Sequence, residues 1–482
     1  MKQLFTSILL IAAIESNAQT ITWGTPVTVS SGSTSNLHPR IQLNRAGNPF
    51  VLWGKTDVNT YFAKWTGSGF STPLQVNPSS INTFAQSWAG PDMAAFGDTI
   101  YVAMKHTPEN VSTNYSYLAH SYDGGTTFSA PVRVDNIDTS MSRFPIVTTT
   151  ATGNPLVAFM KFNAAFNDAH YVVSRATDYG MTFSADARAS GATGTVCDCC
   201  PASIIATGGK AIMLFRNNLS NIRDIWAGIS NDGGATFSSH MATDNTNWMI
   251  MSCPASGPDG FVIGDTIYST FMSAGSGTSL VYLNKASISS AAAASTVAIT
   301  GAGSGITLQN FPRIANAGNA ATAIWKHVQG GMNMLCFSFT SNIANGFSGY
   351  DTLAMGSGLQ NADVAMTPGN IHVVYEDDNT GKLMYVKGTY PVSSTSVNNI
   401  TASKQITVYP NPANESFSVS LDNTGTISSS LLIDVTGKQI SLEPIIKKGI
   451  ATFSLNGIAK GTYYFTLTNE SGKQYFSQIA VQ

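Results

Sequence analysis

The sequence predicts an all-β chain: a seven-bladed β-propeller, or alternatively a six-bladed one, followed by a small β-sandwich. Three observations carry this. A phrase Ser-x-Asp-x-Gly-x-Thr-Phe stands at residues 121–128 and 230–237, and again at 176–183 with Ala176 in place of Ser, so Asp123, Asp178 and Asp232 lie 55 and 54 residues apart. A Gly-centred turn between short apolar runs recurs at Gly47, Gly97, Gly153, Gly208, Gly264, Gly318 and Gly369, spaced by 50 to 56 residues. Beyond residue 403 the chain changes to short alternating strands without that period. About fifty residues is the length of one four-stranded blade, and a regular period means stacked copies of one unit.

Each element follows from local chemistry. Residues 1–18 read as a secretory signal: Lys2, an apolar run over 4–14, and Ser16-Asn17-Ala18 as a small-residue cleavage site. In the Ser-x-Asp phrases the carboxylate can accept backbone N–H groups ahead of it, Gly supplies a positive φ, and Phe returns the chain to an apolar interior. The Gly-Asn, Gly-Asp and Gly-Gly turns join the two innermost strands of each blade. Residues 361–390 supply only three strands, and residues 20–30 supply the fourth, which closes the ring without an open sheet edge. The six-bladed alternative treats the weak repeat 253–300 as an insertion. Together these bound the propeller to 19–390. Residues 391–403 read as a polar linker, and 404–482 as a sandwich with turns at Asn411-Pro412, Thr436-Gly437 and Ser471-Gly472.

Charged residues make up 11% of the 482, and the formal net charge is −2. That excludes a basic face for nucleic acid, and no run beyond the signal is long enough to span a bilayer. Partners are expected to be read by shape, aromatic rings and a few placed charges. No cofactor and no metal is expected.

Two resemblances now enter. Val408-Tyr409-Pro410-Asn411-Pro412, Asp434-Val435-Thr436-Gly437-Lys438, Gly461-Thr462-Tyr463-Tyr464 and the closing Ile479-Ala480-Val481 resemble the C-terminal sorting domain of the type IX secretion system of Bacteroidetes. This implies export to the medium or the cell surface, with that machinery as a partner of 404–482. The Ser-x-Asp hairpins resemble the Asp boxes, or BNR repeats, of the sialidase superfamily. That resemblance implies a propeller acting on a glycan or glycoprotein, either as an exo-α-sialidase-type glycoside hydrolase or as a non-catalytic binding module.

The candidate site residues sit where inner strands begin and second strands end, on the face opposite the Gly turns. A sialidase holds its substrate carboxylate with arginines, because guanidinium binds carboxylate in a bidentate fork. The resemblance assigns Arg40, Arg313 and either Arg216 or Arg223 to that role, Asp92 to the acid, and Tyr375 with Glu376 to the nucleophile pair. The family's arginine motif reads Phe/Tyr-Arg-Ile-Pro, whereas this chain has His38-Pro39-Arg40-Ile41 and Phe311-Pro312-Arg313-Ile314, with proline on the other side.

Cysteine gives the last constellation. Cys197, Cys199, Cys200 and Cys253 fall at matching places in adjacent repeats, since Cys200-Pro201-Ala202-Ser203 recurs as Cys253-Pro254-Ala255-Ser256. In an exported chain disulfides are expected, with at least one bridge from the 197–200 cluster to Cys253 and Cys336 left free; a metal site is the alternative. A bridge from Cys200 to Cys253 would close a loop of about fifty residues, worth about 4 kcal/mol.

Overall fold

The computed structural model describes residues 21–30, 35–56, 58–135, 141–163, 165, 167–191, 194–290, 295–300, 305–392, 404–421, 427–434, 438–469 and 473–482. The expected signal at 1–18, most of the linker, and the turns at 436–437 and 471–472 lie outside them. The chain divides into two compact units, Met1–Val392 and Ser393–Gln482.

Among the described residues the first unit holds seven antiparallel sheets, five of four strands and two of five. Their innermost strands are Asn36–Leu43, Asp92–Phe96, Met141–Thr149, Ser203–Thr207, Asp259–Ile263, Ile306–Ala317 and Leu359–Thr367, and we number the blades one to seven in that order. The weak repeat is a complete blade five, running Asp259–Ile263, Thr266–Ser273, Leu280–Ser287 and Ser295–Ala298. Blade seven takes its outer strand from the other end of the chain: Thr22 pairs with Thr389, and Val27 with Tyr385. All seven turn glycines have positive φ, between 51° and 80°, where an L side chain would be strained.

Every interface between neighbouring blades has its own apolar cluster. Val51, Trp53 and Ile41 of blade one meet Val374 and Tyr385 of blade seven, while Phe215 and Met213 of blade four meet Met160 and Tyr171 of blade three. Period-two alternation makes this possible, because successive residues of a strand feed opposite faces and so opposite neighbours.

The Ser-x-Asp hairpins form as their chemistry requires. Asp123 Oδ1 accepts from the Thr126 and Thr127 amides at 2.9 and 3.0 Å, and Oδ2 accepts from the Thr127 hydroxyl at 2.6 Å. Phe128 then turns inward onto Phe62, with ring centroids 5.2 Å apart. Asp178, in the copy without Ser, keeps the same two amides and threonine hydroxyl.

The second unit is two facing sheets of five and four strands around Phe417, Phe453 and Phe465. Its strands include two short ones, Gln439–Ser441 and Pro444–Lys447, that the alternation did not mark.

Candidate functional site

A cavity of about 460 Å³ runs along the axis of the first unit, lined by the innermost strand of every blade. That volume suits a small ligand. The strands reach it through a shared local device. His38, Phe144 and Phe311 have φ of 56°, 49° and 52°, each is followed by proline, and each lies in a bulge that shifts the strand register. A bulge re-aims side chains. Here it brings Arg40, Ile146 and Arg313, each directly after the proline, to the cavity wall.

Those residues belong to a ring. Its seven equivalent positions are Arg40, Asp92, Ile146, Ala202, Asp259, Arg313 and Asp363, one per blade, and all line the cavity. Arg40 Nε lies 3.2 Å from Asp92 Oδ1; Arg313 Nε lies 2.9 Å from Asp363 Oδ1 and 3.4 Å from Asp259 Oδ2. Each carboxylate also accepts the backbone amide at the ring position, or next to it, of the following blade: Asp92 from Val147, Asp259 from Ile314 and Asp363 from Ile41, all at 2.9 Å. Two guanidiniums thus face three carboxylates. Burial works against the charge on Arg313, but Asp259 and Asp363 more than offset it and raise its pKa. Burial, and then Arg313, lowers that of Arg40. His38 bonds Arg40 through Nε2; burial and the two arginines hold its pKa well below the usual value, so the ring is neutral.

The structure brings Arg40, Arg313 and Asp92 together and places the other candidates elsewhere. Arg216 is 1% exposed and spends its guanidinium on the carbonyls of Ser256, Arg223 and Met272, at 2.6 to 3.0 Å. Arg223 is buried behind it, beside the cysteine cluster. Neither lines the cavity. Tyr375 and Glu376 are neighbours in one strand, Asn370–Asp377, so their side chains leave opposite faces and cannot meet one substrate. Tyr375 packs with Ile324, Leu335 and Val364 in the apolar interface to blade six. Glu376 is fully buried, with Oε2 accepting the His38 amide and Oε1 the Asn361 side chain, both at 2.8 Å. Burial pushes its pKa up to about 8.

Sequence reasoning missed the mouth of the cavity. Trp88 and Phe144 line it edge to face, with centroids 5.2 Å apart. Arg143 lies over the Phe144 ring at 4.5 Å and is held by Glu109 at 2.9 Å. The signal was available: proline precedes the ring position in six blades, at Pro39, Pro91, Pro145, Pro201, Pro258 and Pro312, with Phe144 directly before Pro145 and Trp88 three residues before Pro91.

Cys197, Cys199 and Cys200 lie at the entry to blade four, Cys253 before blade five, and Cys336 in the blade-six strand Met332–Thr340. Cys199 is bonded to Cys253, and Cys197, Cys200 and Cys336 are buried thiols. The bridge expected from the cluster to Cys253 is present, but it uses Cys199 rather than Cys200. Cys200 is 1% exposed and turned inward, its Sγ against that of Cys197. Close backbone packing supports the bridge, since a Cβ on Gly257 would lie 2.0 Å from the Pro201 carbonyl oxygen.

Repeated four-stranded sheets around an axial cavity define a β-propeller. Residues 54–266 match the BNR repeat-like domain family, and residues 407–482 match the secretion system C-terminal sorting domain. The β-propeller thus carries a BNR repeat-like domain over 54–266, and the C-terminal sorting domain of the type IX system supports secretion or the cell surface. No helix among the described residues is long and apolar enough to cross a membrane. No curated protein sequence matches it significantly. Among solved structures it is similar to an ulvan lyase of a polysaccharide lyase family (TM-score 0.52, 11% identity, covering 75% of this chain and 94% of that one). It is also similar to a Dyadobacter fermentans protein of unknown function (TM-score 0.46, 12%, covering 66% and 98%) and to a Hadza microbial sialidase (TM-score 0.44, 14%, covering 73% and 65%).

Proposed function

We propose that the propeller binds a neutral glycan at the mouth of its axial cavity and does not carry out sialidase chemistry. The observation that carries this is the pairing of both cavity arginines. Arg40 and Arg313 are already matched by Asp92, Asp259 and Asp363, so no unmatched guanidinium waits for an acidic sugar. With three carboxylates against two guanidiniums, an added anion would meet net negative charge. The half-buried Trp88 ring, backed by buried Phe144, offers an apolar surface on which a sugar ring packs, above polar groups that can fix its hydroxyls. An ulvan lyase of this fold has been seen bound to an acidic saccharide, which supports a glycan ligand for the fold while the paired arginines carry the neutral reading.

The test uses the full-length protein. Neutral oligosaccharides are expected to bind, with Trp88→Ala weakening binding at least about tenfold, an aromatic hot spot being worth 2 kcal/mol or more. A fluorogenic sialoside is expected to release nothing above buffer. Sialoside turnover that Arg313→Ala abolishes would reinstate the hydrolase, and selective binding of sialylated glycans would overturn the neutral-ligand reading.

A further inference from the structure

Beside the axial site, four sulfurs meet at the entry to blade four. The Sγ atoms of Cys197 and Cys200 lie 2.7 Å apart, closer than two unbonded sulfurs rest. Cys197 Sγ also lies 3.6 Å from Cys199 Sγ, which is bonded to Cys253. Cys197 and Cys200 are buried, whereas Cys253 sits on an exposed loop. A tetrahedral zinc with Zn–S of about 2.3 Å would hold its sulfurs roughly 3.8 Å apart, so the Cys197/Cys200 spacing favours a sulfur–sulfur bond over a shared metal.

We infer that these four cysteines form one thiol–disulfide exchange centre, in which the buried Cys197/Cys200 pair takes over the disulfide held between Cys199 and Cys253. The Cys197 thiolate attacks Cys199 Sγ; the Cys199–Cys253 bond breaks, and its electron pair leaves on the Cys253 sulfur, which takes a proton from water. Cys200 then loses its proton and attacks Cys197 Sγ, and the electron pair of the Cys197–Cys199 bond leaves on the Cys199 sulfur, which takes up a proton. One disulfide and two thiols stand on each side, so no oxidant is consumed. An external thiol or disulfide compound enters the cycle at exposed Cys253.

The surroundings suit these roles. A hydrogen bond from Cys200, and then the charges of Arg223 and Arg216, pull the Cys197 thiol down to about 7 against the effect of burial. Burial pushes the Cys200 thiol well up. An attacking thiol with a pKa near ambient pH suits the first step, and Cys200 has to lose its proton before it attacks as the resolving thiol. Nε and Nη1 of Arg223 are buried without a hydrogen-bond acceptor among the described residues, which leaves a positive field beside Cys197.

The test is a disulfide map of the full-length protein, brought to one disulfide per chain with limiting dithiothreitol, quenched in acid and alkylated. Both the 199–253 and the 197–200 bridges are expected, with Cys336 alkylated throughout. Under non-reducing conditions Cys253 is expected to be labelled by iodoacetamide, and Cys197→Ser to cut that labelling at least tenfold. Cys200→Ser is expected to retain labelling but to lose the 197–200 bridge. The wild-type map decides even if a variant fails to fold. A bridge found only at 199–253, with Cys197 and Cys200 always alkylated, or a stoichiometric metal on the cluster, overturns the inference.

Discussion

The propeller uses aspartate in two opposite ways at its two ends. On the hairpin face Asp123 and Asp232 stand in water, saturated by hydroxyl and amide donors from within four residues. The Thr127 hydroxyl and amide for Asp123, and the Ser230 and Thr236 hydroxyls for Asp232, hold these carboxyls far below the usual range. On the axis Asp92, Asp259 and Asp363 take partners from other blades, and burial raises the pKa of Asp259. The hairpin carboxylates shape one turn each; the axial ones tie blades together. Local donors make a carboxylate independent of the fold, whereas distant donors make the fold depend on the carboxylate.

The sharpest break in that contrast is Asp363→Ala. It removes the acceptor of the Ile41 amide and one partner of buried Arg313, and so unties blade seven from blades one and six. Loss of one partner of a buried pair costs about 3–5 kcal/mol, to be read from urea unfolding at pH 7. Equal stability would mean the axial network contributes nothing.

Glu376 gives the next largest effect, and it depends on pH. The folded chain holds this proton up to about 8, while an unfolded glutamate releases it near 4.5. Between those values the native state binds more protons, so stability falls as pH rises, by on the order of a few kcal/mol in total. Glu376→Gln should flatten that slope, its stability relative to wild type rising with pH, and a variant whose slope matches wild type would remove Glu376 as its source.

Asp232→Asn should be the smallest effect, with the opposite sign of pH dependence. A carboxyl held below its unfolded value of 3.8 stabilises fully above that pH and loses its contribution as pH falls towards the folded value. The melting-temperature gap between wild type and variant should be constant from pH 5 to 8 and narrow only below about 3.8. A gap that grows in acid would contradict the hairpin account.

The fold was legible because its signals are local and repeated. A Gly-centred turn marks each blade and a Ser-x-Asp phrase three of them, and residues 20–30 were needed to complete the last one. The ring positions Arg40, Asp92 and Arg313 were legible for the same reason. Tyr375 misled because adjacency in sequence suggests a shared site, when a strand sends neighbours to opposite faces. Arg216 and Arg223 misled because an arginine at a strand end looks alike whether it binds a ligand or backbone carbonyls. Proline beside Arg40 and Arg313, a departure from the arginine motif, belongs to the bulge that aims them.

The pairing of Thr22 with Thr389 has a consequence for how the chain can be made. The first strand must wait for the last blade, so a growing or threading chain cannot complete the ring until nearly four hundred residues are free to move. Contacts so distant in sequence slow the search for the native state, because loop closure precedes the contacts that reward it. Until then Lys382–Thr389 presents an unpaired edge, the surface on which one incomplete chain would recruit another.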